Sequence, residues 1–247
     1  MMNDLYPHFR FTFSPDPQIT GVFVLEAEIV FYPEDFEDDD VAKILEGEDA
    51  GKDFQVGTLS GLYVPSTHSL GDLFYAADAH SSEAASHAQA LTQVLGDDGH
   101  LGCGLAEGCH SWIGVEMMKI DPRFRGRGLS YQFLDQLCTL TGHTTMITAS
   151  ADPIYEEEPT EADIAVATAK LKLHWLRFGF RELEDTGVYY INNALVPRPK
   201  TWLWEKQGYG DNAADEPNEA ADEFDEGLSE GHAHLMPDGA DFFNGDF

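Results

Sequence analysis

Positive charge is scarce in this chain: fourteen Lys and Arg stand against forty-five Asp and Glu, for a formal net charge of −31. A surface of that sign repels nucleic-acid backbones and anionic membranes and draws in cations, so direct nucleic-acid binding is not expected. Cysteine is scarce too. Cys103, Cys109 and Cys138 form an odd, unevenly spaced set, which argues against a disulfide framework and for a reducing compartment. Long apolar runs are missing. The longest, ITGVFVLEAEIVF, is interrupted by Glu26 and Glu28 and cannot cross a bilayer. The opening MMNDLYPHFRFTF has no basic segment followed by an apolar one, so no secretory leader is read there. No internal repeat is found. Together these absences lead to the expectation of a soluble, cytoplasmic protein with no membrane role.

What is present suffices for a sizeable core: 43% of the residues are hydrophobic and 12% aromatic. Strand-like stretches rich in Phe, Val and Ile run over 9–14, 20–32 and 54–64, the last closed by Pro65. Two helices are expected over 69–79 and 82–96, with Ser81 or Ser82 as a cap and Gly96 as the stop. A Gly-rich loop then leads into a strand, WIGVEMMKID, at 112–121. After Gly128 the period changes. Leu129, Phe133, Leu134, Leu137 and Leu140 share one helical face, and Gly142 is a natural C-terminal stop. A short strand at 144–151 follows. Thr160 and Asp163 then form a capping-box pattern ahead of Ile164, Ala167, Leu171 and Trp175, at helical spacing up to Gly179. FRELED and GVYYINNALV read as closing strands, and TWLWEK as a last pairing or docking segment. This alternation predicts an α/β fold with a mixed, partly parallel sheet flanked by helices. The domain spans 1–206, with a helical insertion at 65–111. The acidic run 34–40 is read as a surface connection, and 207–247 as an acidic, disordered tail.

Three of the fourteen cationic residues sit together in Arg123-Phe124-Arg125-Gly126-Arg127-Gly128. A strand that ends at Asp121-Pro122 and re-emerges as a helix after Gly128 presents several backbone N–H groups at the positive end of a helix dipole. Glycine lets the main chain approach a ligand closely, and arginine adds charge-assisted contacts. This chemistry suits a phosphate or pyrophosphate. The spacing is neither GxxxxGK[ST] nor GxGxxG.

Arg125-Gly126-Arg127-Gly128-Leu129-Ser130 resembles the [QR]-x-x-G-x-[GA] signature of the GNAT superfamily of N-acetyltransferases. Val115 to Phe124 is similar to that family's fourth strand, and LHWLRFGF at 173–180 to its LYEKLGF helix end. The likeness covers about 112–192. It implies a splay between the fourth and fifth strands, with main-chain groups of Met118, Lys119 and Ile120 on the pantetheine arm. Arg125, Gly126, Arg127, Gly128, Leu129 and Ser130 would cradle the phosphates of acetyl-CoA, the co-substrate. An amine would attack the thioester directly. Glu116 lies where some members of the family place a catalytic glutamate, and His174, Tyr189 and Tyr190 are candidate proton donors. Three departures stand out. Ser130 replaces Gly or Ala, Trp175 replaces a frequent tyrosine, and 65–111 replaces a short turn. Indole does not act as a general acid, so the donor to the CoA thiolate is absent or elsewhere.

Two further patterns carry alternatives. His100, Cys103, Cys109 and His110 place four possible zinc ligands in one loop, or else a flexible loop with buried thiols; no metal is assigned. The tail holds twelve acids and no Lys or Arg from Gln207 onward, with Phe224, Leu228, Leu235, Met236, Phe242, Phe243 and Phe247 among them. It reads either as a docking segment for a basic protein partner or as a solvated terminus. The expected function is N-acetyl transfer to a cationic amine of a small molecule or protein. The alternative is a GNAT-like CoA-binding or interaction module, catalytically inactive, that acts through its insertion and tail.

Overall fold

A computed structural model describes residues 7–32, 53–66, 69–96, 100–153, 155 and 158–195. The acidic run 34–40, TWLWEK and the tail lie outside them.

Among the described residues the strands are β1 His8–Pro15, β2 Phe23–Phe31, β3 Phe54–Val64, β4 Ser111–Ile120, β5 Thr145–Ser150, β6 Arg181–Glu182 and β7 Val188–Asn192. The helices are α1 Leu70–His80, α2 Ser82–Leu95, α3 Leu129–Thr141 and α4 Glu161–Phe178. All seven strands form one sheet in the order β1-β2-β3-β4-β5-β7-β6. Neighbours are antiparallel except β4 and β5, which are parallel and joined through α3. The protein is therefore α/β with a mixed sheet. No described helix is long and apolar enough to cross a membrane.

Alternation along the strands sends side chains to two faces and makes two cores. On one face Leu25, Ile29, Ile113, Val115 and Ile147 meet Phe133, Leu134 and Leu137 of α3 and Trp175 and Phe178 of α4. Phe9, Phe11 and Phe13 of β1 pack against the same cluster, while His8, Arg10 and Thr12 between them are exposed. On the other face Leu62, Val64, Trp112, Met146 and Val188 meet Leu70, Leu73 and Ala77 of α1 and Ala84, Ala88 and Leu91 of α2. The expected insertion is thus a helical hairpin that closes the second core.

Its hinge is one residue. Ser81 caps α1 by donating its N–H to Ala77 O at 2.9 Å, and its Oγ accepts the N–H of Ala84 at 3.0 Å to start α2. The capping box at α4 forms as expected: Thr160 Oγ1 accepts from Asp163 N, and Asp163 Oδ2 accepts from Thr160 N.

Two helical faces differ from expectation. Leu140 is 56% exposed, and Cys138 takes a buried place on α3 instead. In α4 only Trp175 and Phe178 are buried, while Ile164 is exposed. Eighteen residues of helix run about 27 Å, and the two that are buried, Trp175 and Phe178, lie in its last turn and a half.

Candidate functional site

The main irregularity of the sheet lies where β4 leaves β5. Their pairing runs from Ser111↔Thr145 to Val115↔Ala149 and stops, although β4 continues to Ile120 beside β3. On the β3 side the register slips at the same level, from Ser60↔Met117 to Gly61↔Val115. Glu116 is the extra residue of this bulge. A bulge bends its strand and re-aims the unpaired side chain. From Glu116 to Ile120, therefore, the β5-facing edge of β4 has no strand partner among the described residues.

Beyond Ile120 the chain turns into α3 through the cationic stretch. Asp121 Oδ1 accepts from the N–H of Arg123 at 2.9 Å, and its carboxylate also receives the Arg123 guanidinium at 3.0 and 2.8 Å. That guanidinium lies over the Phe54 ring, 5.0 Å from its centre. Arg123 is thus used to build the turn. Arg125 is exposed, with Nε donating to Ile120 O at 3.0 Å. Gly126 and Gly128 have φ of 75° and 73°, the left-handed region that suits glycine. Gly128 is the N-cap of α3, and no side chain caps the helix. A helix start leaves several N–H groups without intrahelical partners. Arg127 lies over Phe124 at 5.7 Å, and its Nη1 is buried with no hydrogen-bond partner among the described residues. An uncompensated buried guanidinium nitrogen is costly, and an anion is its natural complement. Of the other residues expected to line the cofactor, Met118 and Ile120 pack against the α3–α4 core, and Lys119 is exposed on β4.

Glu116 is held on the α1–α2 side of the sheet. Ser81 Oγ donates to its Oε1, and His80 Nε2 stands 3.5 Å from its Oε2. The other nitrogen of His80, Nδ1, lies 3.0 Å from Asp16 Oδ2. Asp16, in the β1–β2 connection, also accepts the N–H groups of Gln18 and Ile19 at 2.8 and 3.1 Å. Burial alone would raise its carboxyl, but these two N–H groups and the His80 imidazole outweigh it and hold the group below the usual carboxylate range. The chain of contacts is Asp16–His80–Glu116–Ser81, four residues from three separate segments.

A second network runs beneath it. Trp112 Nε1–H donates to Thr148 Oγ1 at 3.0 Å, and the same oxygen is 3.3 Å from Nδ1 of the fully buried His87. His87 Nε2 stands 3.3 Å from Glu83 Oε1. The His87 imidazole, and then the Ser150 hydroxyl, hold the Glu83 carboxyl below its usual range, with burial opposing them. Glu116 and Ser150, the residues that follow the last β4–β5 pair, are therefore both engaged by the start of the insertion's second helix.

The other candidate donors are not gathered with Glu116. His174 lies on the opposite face, stacked on Tyr131 at 4.5 Å with an interplanar angle of 7°. Burial, assisted by the nearby Arg177 charge, lowers its imidazole to about 4, so it is neutral at physiological pH. Its Nε2 is buried without a hydrogen-bond partner among the described residues. Tyr190 shares the face of Glu116, but β5 stands between β4 and β7, so it is two strand spacings away, about 9–10 Å. It lines a shallow cavity of about 120 Å³ with Leu105, Arg181 and Asn192. Tyr189 is fully buried in the α3–α4 core, and its hydroxyl is raised by that burial and by Glu182. Trp175 donates Nε1–H to Ser150 O at 2.9 Å, which ties α4 to the end of β5. Sequence reasoning missed Asp16, His80 and Glu83. The one local signal was the cap at Ser81, which fixes where His80 must lie.

The Cys/His loop folds as a clamp. Asn192 Nδ2 donates to Leu105 O at 3.0 Å and Glu107 O at 2.9 Å, and its Oδ1 accepts from the Cys109 thiol at 3.2 Å. Cys103 Sγ lies 3.0 Å from His100 O. Among the described residues no group of three or more His, Cys, Asp or Glu is placed to share a metal ion. Burial pushes the Cys109 thiol up to about 11, and Cys138 is buried as well. In the native protein at pH 8 a thiol reagent should therefore modify Cys103 first, leaving Cys109 and Cys138 to react only in denaturant. Mass mapping of the labelled peptides reads this directly, and equal labelling of Cys109 and Cys103 would refute it.

No protein-family model, curated protein or solved structure matches the chain.

Proposed function

We propose that this protein transfers the acetyl group of acetyl-CoA to a primary amine, with a cationic molecule as acceptor. The observation that carries the reading is the sequence of three features along one run of chain. Among the described residues, β4 loses β5 after Val115, it keeps an unpaired edge to Ile120, and it leads into a turn whose Arg127 Nη1 is buried without a hydrogen-bond partner. Main-chain groups of Met118, Lys119 and Ile120 would hydrogen-bond an amide-bearing arm, as a further strand would. The N–H groups from Gly126 to Ser130, with Arg125 and Arg127, would take the pyrophosphate. Glu116, the first residue beyond the β4–β5 pairing, would be the base that prepares the amine. The net charge of −31 favours capture of a cationic acceptor.

A second reading has one observation in its favour. The indole of Trp175 occupies the place where the resemblance leads one to expect a phenol, and its N–H is committed to Ser150 O. On that reading the protein binds CoA without chemistry and acts through its insertion and tail. Turnover separates the two.

Calorimetry with acetyl-CoA tests the binding step. The parent should bind, Arg127→Ala should weaken binding about tenfold or more, and Gly128→Val should abolish it. A charge-assisted hydrogen bond is worth about 1.5–3 kcal/mol, and valine is strained at a φ of 73°. A parent that fails to bind at both low and molar salt overturns the assignment. Binding by all three proteins alike overturns the role of the turn.

A further inference from the structure

The transfer releases a proton that needs a way out. An alkylammonium brings three N-bound protons; the amide product keeps one and the CoA thiol takes one. The third reaches solvent, so that RNH3⁺ plus acetyl-CoA gives RNHCOCH3, CoASH and H⁺. Before attack the ammonium passes this proton to Glu116; the nitrogen lone pair then forms the C–N bond as the C–S bond breaks.

Resting on the transferase reading, we propose that His80, braced by Asp16, relays this proton from Glu116 to solvent, and that the helical insertion belongs to the catalytic apparatus by supplying it. Three observations support this. Glu116 Oε2 faces His80 Nε2 at 3.5 Å, and His80 Nδ1 faces Asp16 Oδ2 at 3.0 Å. A neutral imidazole has one N–H and satisfies one of two carboxylates, whereas the protonated ring donates to both. The arrangement is thus built to accept one proton and return it. The exposures place the imidazole at water. The side chains of Glu116 and His80 are each 17% exposed and that of Asp16 only 5%, so the imidazole touches water while its brace is buried. Third, the sequence reserves Ser81 for orientation: it caps both helices and donates to Glu116 Oε1, which leaves Oε2 to the histidine. His80 acts through Glu116 and is a positioning and relay residue. No other described residue is seen to contact the Glu116 carboxylate, and Asp16 and Glu116 are the two charged groups seen to face His80.

The test uses the full chain with acetyl-CoA and three probe amines, spermidine, kanamycin and poly-L-lysine, following CoA release. His80→Gln keeps a donor toward Glu116 but carries no titrating proton. It should lower kcat at least tenfold, with KM for acetyl-CoA within twofold of the parent. His80→Ala should regain rate when imidazole is added, and the parent should not respond. Asp16→Asn, in a different segment, should lower kcat less than His80→Gln. Parent-like kcat in His80→Gln, or a loss in His80→Ala that imidazole leaves unchanged, overturns the relay while the transferase reading stands. A parent that binds acetyl-CoA and acetylates none of the amines overturns the relay and favours the binding-module reading. Absence of acetyl-CoA binding overturns both.

Discussion

Gly61→Ala should cost the protein about 3 kcal/mol or more, a large loss for the addition of a single methyl group. A Cβ at this position would press into the carbonyl oxygen of Gly114 and stand 3.1 Å from Gly114 C and 3.2 Å from Val115 Cα. All three atoms belong to the main chain of β4, so no side-chain rotation relieves the contact and the strands themselves must separate. Overpacking a core costs about 1–3 kcal/mol when side chains can adjust, and more where they cannot. The damage is local to the site. Gly61 lies at the slip between Ser60↔Met117 and Gly61↔Val115 that leaves Glu116 unpaired. Closing the slip to relieve the clash would reverse the faces of Met118 and Ile120, which pack on the α3–α4 core, relative to Val115 and Glu116. Urea melts should show a lower midpoint, and acetyl-CoA binding by the folded fraction should weaken. Gly126→Ala is the control. Nothing lies within 4 Å of its Cβ, so only the strain of its left-handed backbone remains, about 1–2 kcal/mol. Equal melts for Gly61→Ala and the parent would show that β3 and β4 are not in close contact there.

The features legible in the sequence are those decided within a few residues. β3 occupies the 54–64 read from its pattern, and Ser81, Gly96, Thr160 with Asp163, Gly142 and Gly179 all stand at helix ends. Each of these is a local hydrogen-bonding or backbone choice. The Arg-Gly turn belongs to the same class, because a strand, two glycines of positive φ and a helix follow one another within a few residues. What the sequence hid depends on chain-distant meetings. Asp16 and His80 are 64 residues apart and Ser81 and Glu116 are 35 apart. No spacing rule links them; β-sheet order and the bulge do. The grouping of Glu116 with His174 and Tyr190 failed to form a single cluster for a related reason. Glu116 stands on the α1–α2 side, whereas the helix that carries His174 packs into the other core, and β5 separates β4 from the β7 strand that carries Tyr190.

The insertion is therefore more than a cover, and its attachment to the sheet can be measured. Trp112→Ala is expected to destabilise the protein by about 3–5 kcal/mol, the range for removing a large buried aromatic ring. The ring is fully buried among α1, α2 and the sheet. A Cβ on Gly114 would lie only 2.6 Å from its Cη2, so the strand has a glycine where the ring passes. Trp112→Phe separates two contributions. It keeps most of the apolar volume and removes the N–H that reaches Thr148 Oγ1, so the loss should fall to about 1–2 kcal/mol. The polar part matters because Thr148 also stands against His87, which joins α2 to β5. Loosening that joint should free the helical hairpin before the rest of the molecule. In native-state hydrogen exchange, Trp112→Phe should therefore raise the rates of α1 and α2 amides more than those of α3, whose contacts lie on the other face. Uniform acceleration in α1, α2 and α3 would mean that the two cores open together. The insertion would then not be the separately anchored unit from which His80 and Ser81 reach Glu116.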